Sequence, residues 1–439
     1  MVAMDRLFRG HGRRGNTCFL ALTVNAVIRE KVLTKRLAAN ELWQSLTSPR
    51  IQYSPFGHPR WGTQAAYSKI AIKEIIFENA LQQDLPQITA GLDIHPEREP
   101  PAQIRVFHHS DSSTILFGWH HALLDAHRAE LILKQLVCAP PEAGKILANK
   151  FTRKPSRPLS FLEHLRSANR ARVFILQASK PPLSTLPLPP PTIPTNPEYT
   201  FIRFSEEETC QVAEAVRSHG LELFPSCFLL AAVCRAFQKC ALSRQLPRNP
   251  LLVPVPHDAR RGGAVDRPTS NDLTVFFFRL EQSSLASMAH AAASLLEQAE
   301  LFVREGLPRA VPHFLQCASV LPPALYLPLL GSATKGAYAS FYFSDIGDSL
   351  SQFEAIDGEI VGSEISAPVV DAIHFPPLFY PPGICFVASR RNGCLTITLV
   401  SAPGILSKKE IESLINDLRA DLLQLRSSCS PPTMRESGA

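Results

Sequence analysis

The stretch from Pro181 to Pro197 holds eight prolines in seventeen residues, three of them consecutive at Pro189, Pro190 and Pro191. Proline holds φ near an extended value and lacks a backbone N–H, so this stretch can be neither a helix nor an inner strand. Whatever the chain folds into must be built on either side of it. The flanks, 1–180 and 198–439, are each long enough for a core, whereas 439 residues exceed what one ordinary core holds. Two subdomains are therefore expected, joined by a linker at 181–197.

An apolar content of 45% with 19% charged residues suits a globular chain and excludes a disordered one. The net charge of +6 is modest and the aromatic residues are not interleaved with basic runs, which argues against nucleic-acid binding. It suits an acidic partner or a phosphate-bearing co-substrate. The longest plain apolar run, Cys227 to Cys234, is too short to span a membrane, and Met1 to Gly15 has no apolar core with a cleavage site. A cytoplasmic location is expected. The ten cysteines are scattered without a Cys-x-x-Cys pair and read as reduced, buried small hydrophobes. Gly10 to Gly15 has the letters of a dinucleotide fingerprint, but it precedes a strand-like segment instead of following one, and reads as a loop.

Thr17 to Val24 reads as a strand, Val32 to Leu46 as a helix, and Ile70 to about Leu85 as a second helix that should stop before Pro86. Gln103 to His109 is the next strand, followed by a polar turn at Ser110 to Ser113. Thr114 to Trp119 are β-prone, while Ala129, Leu131, Ile132, Leu133, Leu136 and Val137 recur at helical spacing, so a strand hands over to a helix between them. This order suits an α/β layer with a mixed sheet. Past the linker, Tyr199 to Phe204 reads as a strand and Glu206 to His219 as a helix. Phe228 to Phe237 form a helix apolar nearly all round and hence buried. Asn392-Gly393 marks a hairpin between Ile384–Ser389 and Leu395–Val400, and Ser407 with Glu410 has capping-box spacing ahead of a final amphipathic helix.

At the strand-to-helix handover, His120 and His121 end the strand and Asp125 lies where a helix takes its N-cap. An imidazole there is held rigidly while facing a cleft, as a general base must be. His108 and His109 are also adjacent, but Ser113 stands where the aspartate would, and they read as ordinary strand residues. A metal site at His121, Asp125 and His127 has no Cys or Glu partner at a usual ligand spacing, so no metal is expected. From Lys145 to Arg172 eight basic residues face Glu163 alone, which reads as a solvated face or as a dock for an acidic or phosphate-bearing partner. The chain shows no Gly-x-Ser-x-Gly nucleophile elbow.

His120-His121-Ala122-Leu123-Leu124-Asp125-Ala126 resembles the His-His-x-x-x-Asp-Gly signature of the condensation-domain superfamily. That group includes nonribosomal peptide condensation domains, chloramphenicol-type acetyltransferases, wax ester synthases and polyketide-associated acyltransferases. Ala126 replaces the glycine, a costly change if the backbone there needs a positive φ or close approach. Met4 to Phe8 is similar to the opening segment of wax-synthase-like enzymes, Pro256 to Arg260 to the Pro-Val-Asp-Leu-Arg pattern, and Ser270 to Leu280 to the asparagine-led strand after it. Ser344-Asp345-Ile346-Gly347 is similar to Ser-Asn-x-Gly, with Asp345 in place of asparagine.

The resemblance implies an α/β fold of two chloramphenicol-acetyltransferase-like subdomains, each a mixed sheet with helices, arranged as a V-shaped pseudo-dimer with a tunnel between them. It implies a free-standing, monomeric acyltransferase or condensation enzyme of secondary-metabolite or lipid biosynthesis. The acyl group would come from a thioester, coenzyme A or carrier-protein phosphopantetheine serving as co-substrate with no bound cofactor, and would pass to an alcohol or amine. His121 matches the family's general base, and His120 would pack under or orient the loop. Asp125 would be a structural anion paired with Arg260. Ser344 and the amides near Gly347 would border the tunnel and face the oxyanion. The alternative is a degenerate domain that binds an acyl chain or carrier protein without turnover, which Ala126 and Asp345 would allow; a cyclisation on the same fold is a third reading.

Overall fold

The computed structural model describes residues 15–52, 60–63, 74–76, 81–138, 160–188, 196–258, 273–318 and 339–424. Met4 to Phe8, Gly10 to Arg14, Lys145 to Arg157, Arg260 and Ser270 to Asp272 lie outside these residues.

The chain opens with β1 (Thr17–Val24). The segment expected as one helix is two, α1 (Glu30–Ala38) and α2 (Glu41–Thr47), because the Asn40 side chain accepts the Trp43 N–H at 3.0 Å and restarts the helix as its N-cap. β2 (Pro49–Gln52) and β3 (Arg60–Thr63) pair as a separate ribbon. Where a helix ending before Pro86 was expected, the structure has β4 (Glu74–Ile76) and then α3 (Leu81–Ala90), which runs through Pro86. Proline inside a helix costs about 3 kcal/mol. Here Leu85 is buried with Phe19, Phe107 and Phe375, and that burial offsets much of the cost. β5 (Ala102–His109) and β6 (Ser112–His120) form a hairpin whose turn is only Ser110-Asp111, shorter than the four residues expected, with Ser110 at φ 39°. α4 (Ala126–Val137) and α5 (Phe161–Ala178) follow.

Of the expected linker, residues 181–188 form neither helix nor strand; Leu183 and Leu186 are buried and Ser184 N–H donates to the Pro250 carbonyl at 2.8 Å. The second half runs β7 (Glu198–Arg203), α6 (Glu206–Ser218), α7 (Pro225–Ser243), β8 (Leu251–Asp258), β9 (Leu273–Leu280), α8 (Met288–Arg304) and α9 (Leu307–Ala318). It continues with β10 (Tyr342–Asp345), β11 (Ala355–Ile356), α10 (Gly358–Val361), β12 (Ala367–Phe375), β13 (Ile384–Arg391), β14 (Cys394–Ser401) and α11 (Lys408–Leu422). Asn392 and Gly393, at φ 49° and 76°, make the two-residue turn between β13 and β14, and Ser407 and Glu410 form the capping box of α11.

The main sheet has six strands in the order β11-β12-β1-β6-β5-β4, and a second has four in the order β10-β13-β14-β7. Both are mixed, since β4 runs parallel to β5 and β10 to β13. β12 lies antiparallel to β1, with Phe375 opposite Phe19, so the second half of the chain supplies two strands to the sheet that carries the histidine motif. One face of this sheet packs Leu20, Phe117 and Trp119 on Leu133 and Leu136 of α4. The larger core surrounds α7, whose residues from Cys227 to Cys234 are all buried. Burial pushes the Cys227 thiol up to about 12, so it packs and does not react.

Candidate active site

β6 is paired on both sides, with Thr17 of β1 opposite His120 and Ala102 of β5 opposite Trp119. Its end is fastened by two backbone bonds: His120 N–H donates to Pro101 O at 2.8 Å and His121 N–H to Asn16 O at 2.7 Å. The chain then turns tightly, Leu123 N–H donating to His120 O at 2.8 Å. Asp125 is the N-cap of α4, its Oδ1 accepting the Arg128 N–H at 3.0 Å. A cap of this kind contributes about 1 kcal/mol. Ala126 is the first residue of the helix and is not among the described non-glycine residues with positive φ, which are Ser110, Gln245, Asn392 and Gln424. Its methyl group therefore meets no backbone strain.

The Leu124 carbonyl organises the turn. It accepts the Trp119 indole N–H at 3.2 Å and lies 3.0 Å from His121 Nδ1. A carbonyl only accepts, so Nδ1 carries the imidazole proton and the lone pair is left on Nε2. His121 is half-buried. Burial pushes its pKa below the ordinary 6.5; the Leu124 carbonyl and Asp125 pull it upward, and His120 pushes it down. His120 is fully buried, and its Nδ1 accepts the Ala122 N–H at 3.3 Å, so it shapes the turn from below.

The structure thus gathers His120, His121 and Asp125 at one corner of the six-stranded sheet. Arg260, expected as the partner of Asp125, lies outside the described residues. Within them Asp125 has a cation that sequence reasoning missed: Arg128, one helical turn on, is buried with its Nε 4.0 Å from Asp125 Oδ2. His127 faces Glu130, its Nδ1 3.5 Å from Oε2. Among the described residues no group of three or more His, Cys, Asp or Glu side chains is arranged to hold a metal ion.

Ser344 and Gly347 lie on the other sheet, in β10 and the turn after it. Asp345 is committed there: Oδ1 accepts from Arg390 Nη1 at 3.1 Å and from the Gly347 amide at 3.0 Å, and Oδ2 accepts from the Ser226 hydroxyl at 2.9 Å. The Ile346 amide donates to Ala388 O at 2.8 Å. The Ile346 and Gly347 amides are therefore already engaged. Side chains alternate along a strand, so Ser344 projects from the face opposite Asp345.

Sequence reasoning also missed a buried acid–imidazole pair beside the motif. Glu130, on α4, receives His374 Nε2–H at 2.7 Å and the Ser349 hydroxyl at 2.6 Å on Oε1. His374 comes from β12, and its ring stands edge-on to Trp119 at 6.4 Å between centroids. Burial alone would raise the Glu130 pKa, but the bonds from His127, His374 and Ser349 and the charge of His374 hold it down to about 2. A signal existed: Glu130 falls on the same helical row as the apolar Leu133 and Val137, where an acid is out of place unless paired. His374 also lines a cavity of about 450 Å³ beside β12, together with Arg203, Arg391, Ser389, Thr396 and Thr398.

No protein-family model matches this chain, and no curated protein matches it. Solved structures do resemble it. The trichothecene 15-O-acetyltransferase from Fusarium sporotrichioides superposes with a TM-score of 0.69 at 11% identity, covering 96% of this chain and 94% of that one. The first condensation domain of the calcium-dependent antibiotic synthetase, in complex with a substrate analogue, gives 0.65 at 12% identity over 96% and 94%. Polyketide synthase associated protein 5 from Mycobacterium tuberculosis gives 0.58 at 14% identity over 92% and 94%. The chain has the condensation-domain fold, a mixed α/β architecture that it shares with these three proteins.

Proposed function

We propose that this chain is an acyltransferase that moves an acyl group from a thioester, carried by coenzyme A or by a carrier protein, to an alcohol or amine in secondary-metabolite or lipid biosynthesis. The observation that carries the reading is the hydrogen bond from His121 Nδ1 to the Leu124 carbonyl. It leaves Nε2 as the basic nitrogen on a ring whose burial keeps it neutral near pH 7. Both substrates would approach through the interval between the two sheets. His121 Nε2 takes the proton of the acceptor O–H or N–H as that atom attacks the thioester carbonyl. When the C–S bond breaks, the same nitrogen returns the proton to the leaving thiolate. The Ser344 hydroxyl is the favoured donor to the tetrahedral oxyanion, since the Ile346 and Gly347 amides are engaged elsewhere. A thioester is already activated, so a positioned base and alignment of the two substrates suffice.

The similar acetyltransferase and condensation domains support this chemistry as fellow holders of the fold. The test is thiol release from a panel of acyl-coenzyme A and acyl-loaded carrier-protein donors, with mixed alcohol and amine acceptors. Wild-type release should require an acceptor, and His121→Ala should stay folded while losing about 10²- to 10⁴-fold in turnover. Retained activity in that variant would remove His121 from the base role, and no release with any donor would leave a binding domain.

A further inference from the structure

Helix α5 presents its apolar residues to solvent. Leu162, Leu165, Val173 and Leu176 recur at spacings of three and eight, which places them along one face, and with Phe161 at the helix start they are between 39% and 76% exposed. The opposite face is the settled one. Ser167, Ala168, Ala171 and Ala178 are buried, Ser167 Oγ lies 2.9 Å from His313 Nδ1, the His164 and His313 rings are 4.2 Å apart, and Phe174 meets Phe302 edge-on at 5.4 Å. A surface helix ordinarily buries its large apolar side chains and exposes its small or polar ones. This helix does the reverse, over 18 residues or about 27 Å.

The exposed stripe is bordered by cations. Arg166 and Arg170 flank it on one side and Arg172 on the other, all three exposed. The only acid in the helix, Glu163, spends its carboxylate on the Ser160 amide and hydroxyl at 2.7 and 2.8 Å. Arg170 also donates to the Glu305 carbonyl at the C-terminal end of α8. Isolated exposed leucines are unremarkable, but two apolar clusters on one face, parted by Asn169, whose Oδ1 accepts from Arg172 Nε and Nη2 at 3.1 and 3.0 Å, and rimmed by like charge mark a docking surface.

We infer that this face of α5 docks on an anionic lipid bilayer. A straight aliphatic stripe fits a planar interface: its leucines enter the acyl boundary while the flanking arginines reach up to lipid phosphates. The chain's formal charge of +6 favours approach to such a surface. The inference is independent of the acyl-transfer reading, and its test needs no turnover. The full chain is floated with phosphatidylcholine vesicles with and without phosphatidylserine, at low and physiological salt. Wild type should bind the vesicles that contain phosphatidylserine and not the neutral ones. Replacing Leu162, Leu165 and Leu176 together by serine should weaken binding by about tenfold or more at either salt. Replacing Arg166, Arg170 and Arg172 by alanine should weaken it by about tenfold to a hundredfold, mainly at low salt. These side chains are exposed, and circular dichroism verifies that the variants fold. Absence of vesicle binding, or binding unchanged in both variants, would overturn the inference. So would a wild-type dimer in light scattering that the serine variant abolishes, which would make the stripe a contact between copies, or retention by an acidic carrier protein without any vesicle binding.

Discussion

Glu130→Gln probes the tie between the motif helix and the strand that arrives from the second half of the chain. The substitution keeps the shape and removes the charge that receives His374 Nε2–H and the Ser349 hydroxyl. A carboxyl whose folded pKa lies below its unfolded value binds fewer protons when folded. Its stabilisation is therefore complete above the unfolded pKa and is lost as the pH falls through the folded one. The interval from 4.5 down to about 2, at about 1.4 kcal/mol per pH unit, corresponds to at most about 3.5 kcal/mol, of which the amide's own hydrogen bonds retain a part. Urea unfolding near pH 7, followed by tryptophan fluorescence, should place the variant about 2 to 3 kcal/mol below wild type. Trp119 touches His374 and reports the site directly. The deficit should persist down to about 4.5 and shrink as the pH approaches 2. A variant within about 0.5 kcal/mol of wild type at neutral pH, or a deficit independent of pH, would refute the reasoning.

The pH profile of kcat/KM for thiol release should rise as His121 loses its proton, with the midpoint of its acid limb below 6.5, because burial disfavours the imidazolium. A midpoint above that value would contradict the buried setting of the ring. Ala126→Gly, which restores the residue usual in the motif, should give no gain in turnover and a loss of up to about 1 kcal/mol in unfolding free energy, since the position is ordinary helix here. Increased activity in that variant would show that close backbone approach matters at this turn.

What proved legible in the sequence rests on short-range chemistry. The β6-to-α4 handover, the Asp125 cap, the Asn392-Gly393 hairpin and the Ser407–Glu410 box each depend on residues a few positions apart. The break at Asn40, read as the interior of one helix, also has a local cause: asparagine is a favoured N-cap, and its side chain accepts the Trp43 backbone N–H. Continuation of α3 through Pro86 has no such local cause, because the burial of Leu85 against Phe19, Phe107 and Phe375 is a tertiary effect acting against a local rule.

The sequence by itself determined where a histidine pair would be mounted and that a helix would begin at once behind it. Periodicity and capping are properties of neighbouring residues, and the Leu124 carbonyl that sets the His121 tautomer lies within the same turn. Only the tertiary structure decided what surrounds that turn. β12 joins β1 from the far end of the chain, and Glu130 meets His374 across 244 residues. Likewise Asp345 is held by Arg390 and Ser226, and α5 turns its leucines outward. A buried charge is stable only beside its partner, and an apolar stripe counts as exposed only once the rest of the chain has packed elsewhere; both conditions are set by strand order and packing, which local pattern does not encode.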